Sequence, residues 1–187
     1  GLSIETPKEC RAIALLDVDA DKDLDLVVAT FGTKDDLFIN DGKGGFTRAD
    51  DARWPVRVAY ATCLVAVDFD SDGDVDILFG AVRGPDGKVS GQNQLLRNDG
   101  KGAFSDATAA LPKDASNTSF LLVTPRGSSG GVAVIQGTVG GRPGSPARMR
   151  LLHSVGPLLK RASSNSMTSA LMRWAHGELL DFDGDGD

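Results

Sequence analysis

The sequence predicts an all-β protein that forms part of a β-propeller, and three observations lead to this prediction. Aspartate-rich segments recur along the chain, short apolar runs border them, and a second turn motif follows the first two segments. Together they predict four short strands every 51 to 57 residues, which is the spacing of propeller blades. We therefore expect blades of four antiparallel strands, about three of them plus the start of a fourth.

The aspartate-rich segments align without gaps at residues 13–32, 64–82 and 178–187. In each copy an apolar run is followed by Asp at every second position. The run has four residues in the two complete copies, which also end in a second apolar run, and two residues, Leu179 and Leu180, in the third. The first aspartates of the three copies are separated by 51 and 113 residues. Because the larger interval is about twice the smaller, a further, degenerate copy is expected near residue 125.

Residues 120–139 supply that copy, at an offset of 57 residues from the second one. The apolar runs Phe120–Val123 and Val132–Ile135 are kept. Other residues stand at the aspartate positions: Pro125, Gly127, Ser129, Gly131 and Ala133. The strands are therefore expected to repeat here without the metal chemistry.

The second motif is L-x-x-N-D-G-K-G-x-F, which occurs within residues 36–50 and 93–108. Asn-Asp-Gly between β-prone runs is typical of a tight hairpin turn, because Gly readily accepts a positive φ. In the third unit the counterpart, around Leu151–Lys160, has lost this signature. Sustained helical periodicity is absent from the sequence, and Ser166–His176 is only a weak helical candidate.

We interpret residues 1–187 as a single partial β-propeller. The approximate repeats are 10–60, 61–117, 118–174 (degenerate, without a metal loop) and 175–187 (truncated). Three units and the start of a fourth do not close a ring, so we expect a longer parent propeller.

Composition excludes several classes of protein. Hydrophobic residues make up 41% and charged residues 25% of the chain, as in a globular domain. No apolar run approaches the ~20 residues of a membrane-spanning helix. Two cysteines, Cys10 and Cys63, exclude a disulfide-dense scaffold. We expect buried free thiols on neighbouring strands, with a disulfide between them as the alternative.

The acidic residues are strongly clustered. Of the 26 Asp and Glu residues, 14 lie in the three aspartate-rich segments, leaving 12 against 20 Lys and Arg, a net charge of +8 elsewhere. Like charges at alternate positions repel each other, but they become favourable when a loop curls around a hard cation. The loops resemble the D-x-D-x-D-G start of an EF-hand without its position-12 Glu or flanking helices. The sequence thus predicts metal loops between strands.

At this point the chain resembles the FG-GAP/VCBS repeat family, the integrin-α-type β-propeller repeat. The matching features are D-x-D-x-D-G-D-x-D followed by a strand ending in Phe-Gly, here Phe31-Gly32 and Phe79-Gly80-Ala81, and the N-D-G-x-G-x-F turn. The resemblance implies structural Ca²⁺ bound by side chains at loop positions 1, 3, 5 and 9 and by the carbonyl at position 7.

Carried over residue by residue, the resemblance implies two complete calcium sites and a third that is incomplete in this sequence. The first would use Asp17, Asp19, Asp21 and Asp25 with the Asp23 carbonyl, the second Asp68, Asp70, Asp72 and Asp76 with the Asp74 carbonyl, and the third Asp181, Asp183 and Asp185 with the Asp187 carbonyl. Position 6 is Gly73 in the second loop but Lys22 in the first. We therefore predict tighter binding at the second site.

Other candidate residues carry weaker signals. His153 and His176 have no recurring partner, and Ser128-Ser129 lacks a nucleophile-elbow pattern. Residues 115–177 contain no acidic residue but several basic ones, which could be a docking face for an acidic protein, an anionic glycan or lipid headgroups, or simply a solvated surface. The candidate contact residues are Arg142, Arg148, Arg150, Lys160 and Arg161.

These observations predict a calcium-stabilised, non-enzymatic binding or scaffold module that contacts a protein or a glycan. A variant of this prediction is an accessory subunit of a larger assembly. Weak Ca²⁺ sites suit compartments with near-millimolar Ca²⁺, so an extracytoplasmic location is expected. Nucleic acid is disfavoured because the basic segment has almost no aromatic residues for stacking. The alternative is the propeller portion of an extracytoplasmic enzyme such as a lyase or phospholipase.

Overall fold

The fold is all-β, as predicted. The computed structural model describes residues 9–56, 58–85, 87, 90–113, 117–125, 132–138, 148–155 and 158–168. In this part of the chain there are twelve strands, and the one helical element is a short 3₁₀ turn at Thr108–Ala110. The weak helical candidate at 166–176 was wrong where it can be checked, because its first three residues continue a strand.

The first unit is an antiparallel meander of four strands. These are β1 (Glu9–Leu16), β2 (Asp25–Lys34), β3 (Asp36–Asn40) and β4 (Phe46–Arg48), and each pairs with the next. The first aspartate loop joins β1 to β2, and the first Asn-Asp-Gly turn joins β3 to β4. Both motifs therefore lie at strand-to-strand connections.

The second unit repeats this order. Its strands are β5 (Val58–Val67), β6 (Asp76–Val82), β7 (Gln94–Asn98) and β8 (Phe104–Asp106), again paired in sequence. The second aspartate loop joins β5 to β6, and the second Asn-Asp-Gly turn joins β7 to β8. β-branched and other apolar residues dominate β5 and β6, and all residues of β6 except its last are buried.

The third unit is a separate four-stranded sheet. It contains β9 (Thr118–Pro125), β10 (Val132–Thr138), β11 (Arg148–Val155) and β12 (Leu158–Thr168), which pair in sequence. Both apolar runs of the degenerate copy thus lie in strands. The β11–β12 hairpin falls where the altered turn counterpart was expected.

The first two units are not separate sheets, which differs from the expectation of independent blades. β2 is ten residues long, and its last residues pair with β5 through Phe31–Tyr60 and Lys34–Val58. The eight strands therefore form one strongly curled, half-barrel sheet. Blade number and ring closure stay predictions.

Two apolar clusters hold the units together. The first lies mainly between units one and two and includes Leu16, Val27, Leu37, Trp54, Ala61, Ile77, Phe79, Leu96 and Phe104. The second lies between units two and three and includes Phe69, Leu78, Leu95, Leu121, Val134 and Leu152. Because side chains alternate along a strand, β6 contributes Ile77 and Phe79 to one cluster and Leu78 to the other. This strand of the middle unit is therefore buried on both faces.

Candidate metal centre

The first aspartate loop gathers three carboxylates. Oxygens of Asp17, Asp19 and Asp21 all lie within 4.8 Å of one another. Asp17 also accepts a hydrogen bond from the Lys22 backbone N–H at 3.0 Å, which curls the loop back on its start. Positions 1, 3 and 5 of the predicted ligand set therefore converge.

The second loop gathers a slightly different set. Carboxylate oxygens of Asp68, Asp70 and Asp76 lie within 4.8 Å of one another, so positions 1, 3 and 9 converge. Asp72, predicted as the position-5 ligand, is exposed and accepts the backbone N–H of Asp74 at 3.0 Å. It lies outside the group of three.

Several carboxylate oxygens in these clusters have no hydrogen-bond partner. Among the described residues, Asp17 Oδ1, Asp19 Oδ1 and Asp70 Oδ1 are buried and unpaired. A buried polar atom without a partner costs roughly 1–3 kcal/mol, and more when it is charged. A hard divalent cation bound by oxygen ligands would remove this cost. The residues therefore fit a cation such as Ca²⁺.

The electrostatics lead to the same conclusion. Burial raises the pKa of Asp19, and the neighbouring charges of Asp25, Asp21 and Asp17 raise it further. Burial likewise raises the pKa of Asp76 to about 6, although two backbone N–H groups favour its charged form. A bound cation would oppose both shifts.

The second loop already contains one positive charge. Arg97 lies 3.2 Å from Asp70 through its Nη1, and this charge opposes the effect of burial, which raises the pKa of Asp70. Partial neutralisation by Arg97 would weaken cation binding at the second loop. The charge of Arg97 therefore acts against the prediction that the second loop binds the cation more tightly. That prediction rests on Gly73 at position 6.

Position 6 has a left-handed backbone conformation in both loops, but only the second loop has glycine there. Lys22 adopts φ = 77°, and its counterpart Gly73 adopts φ = 96°. The left-handed region costs a non-glycine residue roughly 1–2 kcal/mol, whereas glycine adopts it freely. The first loop therefore has two non-glycine residues at positive φ, Ala20 and Lys22, whereas the second has one, Ser71. The backbone strain is greater in the first loop.

The position-9 aspartates have a role that the ligand assignment did not anticipate. Asp25 is fully buried and accepts the backbone N–H of Val18 at 2.9 Å and of Asn40 at 2.8 Å. Asp76 does the same with Phe69 at 3.0 Å and Asn98 at 2.9 Å. Each therefore joins its own loop to the Asn-Asp-Gly turn of the same unit.

A second pair of equivalent residues also escaped the sequence analysis. Asp35 Oδ1 accepts the Thr30 backbone N–H, and Asn93 Oδ1 accepts the Ala81 backbone N–H at 3.1 Å. Both acceptors are buried, and each stands immediately before the third strand of its unit, Asp35 before β3 and Asn93 before β7. Asp35 and Asn93 are 58 residues apart, as are Asn40 and Asn98 of the two turns. Aligning the two units at this offset could have identified the pair from the sequence.

The turns themselves are built alike. In each, the second residue accepts two backbone N–H groups from two and four residues further on: Asp41 at 2.9 and 2.8 Å, Asp99 at 2.9 and 3.0 Å. These donors lower the pKa of both carboxyls. The repeated motif therefore specifies a repeated structure.

Several predicted residues lie elsewhere. The third loop, with Asp181, Asp183, Asp185 and Asp187, lies outside the described residues, as does Arg142. The other basic candidates lie on paired strands, Arg148 and Arg150 on β11 and Lys160 and Arg161 on β12, and β12 is the last strand of its sheet.

Both cysteines are free thiols. Cys10 is exposed, and Cys63 is half-buried. Burial of its thiol raises the pKa of Cys63 to about 11. In the described part of the chain, we find no helix long and apolar enough to cross a membrane.

The fold and the two loops define an all-β repeat protein with acidic, cation-compatible connections between strands. Residues 17–79 match the family model described as an FG-GAP-like repeat. The match starts at the first aspartate of loop one and ends at the Phe of Phe79-Gly80. This segment is thus similar to an FG-GAP-like repeat, and the resemblance seen in the sequence is confirmed there. No curated protein shows significant similarity to the chain.

Proposed function

We propose that the chain is a calcium-stabilised β-propeller module that serves as a non-enzymatic binding or scaffold element outside the cytoplasm. The observation that carries this proposal is the pair of equivalent loops. Each brings three carboxylates within 4.8 Å, and each contains a buried oxygen without a hydrogen-bond partner in the described residues. Such a loop is stabilised when a cation binds.

The stacking of the units supports the propeller. The first strands of successive units contact each other, β1 with β5 and β5 with β9. Apolar clusters fill the space between the units, and β6 of the middle unit contributes to both clusters. Blades around a common axis pack in this way, with their first strands innermost.

The chemistry of the loops favours Ca²⁺. Ca²⁺ takes 6–8 oxygen ligands in flexible geometry, and short aspartate loops with nearby backbone carbonyls supply such ligands. Asp17, Asp19 and Asp21 would hold one ion, and Asp68, Asp70 and Asp76 another. Bound Ca²⁺ would supply the positive charge that keeps each loop closed. Sites of this kind bind weakly enough to need near-millimolar Ca²⁺, hence the proposed extracytoplasmic location.

The partner would be a protein or an anionic glycan. The basic positions Arg148, Arg150, Lys160 and Arg161 fall on the neighbouring strands β11 and β12. Because consecutive strand residues lie on opposite faces, the partner would contact the surface along this edge of the sheet. Electrostatic attraction to this surface should weaken as salt is added.

The experiment that tests the metal role is thermal unfolding of the full chain in Ca²⁺ and in excess chelator, with calorimetric titration for stoichiometry. Saturation at 100 times the dissociation constant adds about 2.7 kcal/mol per site. We expect Asp19→Ala and Asp70→Ala each to remove one site. Both carry an unpaired buried oxygen, so Asp19→Ala should not lose stability in chelator. Asp70→Ala also removes the ion pair with Arg97 at 3.2 Å, so its response to Ca²⁺ is measured against its own stability in chelator.

The matched control is Asp51→Ala, which removes an exposed carboxylate paired with Lys34 at 2.7 Å outside the loops. It should keep the full response to Ca²⁺. Identical unfolding of the unsubstituted protein in Ca²⁺ and chelator, together with no heat of binding, would refute the calcium proposal.

A further inference from the structure

The second Asn-Asp-Gly turn, residues 98–104, lies between the two aspartate loops. Asn98 donates its backbone N–H to Asp76 in the loop of its own unit at 2.9 Å. Its side-chain Nδ2 donates to the carbonyl oxygen of Val18 at 2.8 Å, in the loop of the preceding unit. Val18 sits between Asp17 and Asp19, so one residue contacts both candidate metal loops.

The hydrogen bond from Asn98 to Val18 links the conformation of the second turn to that of the first loop. Asn98 is only 7% exposed and Val18 1% exposed, so water does not readily replace the bond. The other side-chain atom, Asn98 Oδ1, is buried without a partner among the described residues. The orientation of this amide therefore depends on the Val18 carbonyl.

The rest of the turn fits closely against the first unit. The Arg53 side chain donates through Nη2 to the Lys101 carbonyl at 2.9 Å, and the Arg53 backbone carbonyl accepts the Phe104 N–H at 2.8 Å. A Cβ on Gly102 would lie 3.2 Å from Asp19 Cβ. The turn therefore cannot shift without disturbing the first loop.

The first turn provides a comparison within the same chain. Asn40 occupies the equivalent position and donates its backbone N–H to Asp25 at 2.8 Å, as Asn98 does to Asp76. Its side-chain Nδ2, however, donates to Leu24 at 3.1 Å, in the loop of its own unit. The two asparagines differ in which unit their side chains contact.

We propose that Asn98 couples the two metal loops, so that a cation bound at either loop raises the affinity of the other. The proposal rests on the metal binding proposed above. Closing the second loop fixes Asp76 and, through it, Asn98. Asn98 then fixes the Val18 carbonyl and with it the flanking ligands of the first loop. The first ion to bind thus orders both loops, and less conformational entropy is lost when the second ion binds.

Such coupling is reciprocal, since each site must affect the other by the same factor. We expect a factor of about 5, the lower end of usual coupling strengths. Calorimetric Ca²⁺ titration of the full chain measures it. Asp70→Ala should weaken the first site about 5-fold, and Asp19→Ala should weaken the second by the same factor.

Asn98→Ala should abolish the coupling, so that adding Asp70→Ala no longer changes the affinity of the first site. Asn40→Ala is the matched control, and the coupling should persist in it. Circular dichroism checks that each variant folds, and the single Asp variants test the coupling even if Asn98→Ala does not fold.

Each outcome bears on a distinct claim. Absence of any Ca²⁺ binding would refute the proposed function. Two sites that bind independently in the unsubstituted protein would overturn the coupling while leaving the calcium sites intact. Coupling that survives Asn98→Ala would overturn the assignment to this residue.

Discussion

Replacing Asp25 by alanine separates the structural role of a position-9 aspartate from metal binding. Asp25 is 0% exposed and accepts backbone N–H groups from Val18 at 2.9 Å and Asn40 at 2.8 Å. Alanine leaves both donors unpaired, and each unpaired buried group costs about 1–3 kcal/mol. We expect a loss of at least about 2 kcal/mol, which is a roughly 30-fold fall in the folded-to-unfolded ratio.

The assay is denaturant unfolding of the full chain in excess chelator. Asp21→Ala is the comparison, because Asp21 is exposed and its one backbone contact, to the Asp23 N–H at 2.9 Å, lies within the exposed loop. It should change stability in chelator by less than about 0.5 kcal/mol. In Ca²⁺ Asp21→Ala should lose the first site, because Asp21 is one of the three converging carboxylates. If Asp25→Ala matched the unsubstituted protein in chelator, the structural reasoning would be refuted.

Three further substitutions or modifications test the local chemistry. Lys22→Gly should relieve a φ of 77° and tighten the first loop about 5-fold in a calcium titration, corresponding to roughly 1 kcal/mol; unchanged affinity would mean that the backbone is not strained. Cys63 should react with a thiol reagent far more slowly than Cys10 at pH 8. Burial raises the pKa of Cys63 from 9.0 to about 11, so its thiolate fraction and labelling rate should rise about tenfold per pH unit up to that value; equal rates for the two thiols at pH 8 would contradict this. Gly100→Ala should destabilise the fold more than Gly44→Ala. Both glycines have positive φ, but only at Gly100 would a Cβ meet a carboxylate oxygen of the second loop, at 2.5 Å; equal losses in melting temperature would argue against that contact.

Local patterns in the sequence were sufficient to predict much of the fold. The alternating aspartates and the flanking apolar runs located β1, β2, β5 and β6, and the Asn-Asp-Gly motif located both turns. Even the degenerate copy predicted the β9–β10 pair, because its apolar runs were kept while its aspartates were not. These features depend on neighbours close in sequence.

Contacts between distant residues could not be predicted in this way. The long β2 that pairs with β5, and so joins two units into one sheet, left no periodic signal. The spacing identified Asp25 and Asp76 as acidic loop residues, but their second partners, Asn40 and Asn98, lie 15 and 22 residues away. The third carboxylate of the cluster is Asp21, at position 5, in the first loop but Asp76, at position 9, in the second. This difference depends on side-chain packing and not on spacing in the sequence.

The bond from Asn98 to Val18 has a consequence for the order of events during synthesis. The two residues are 80 positions apart, so the first loop leaves the ribosome long before its partner in the second turn. Newly made chain therefore presents an acidic loop that lacks one of its native contacts until residues 98–104 have emerged. Vectorial folding would complete the first unit only after most of the second, and a nascent chain arrested before the second turn should hold its first loop more loosely.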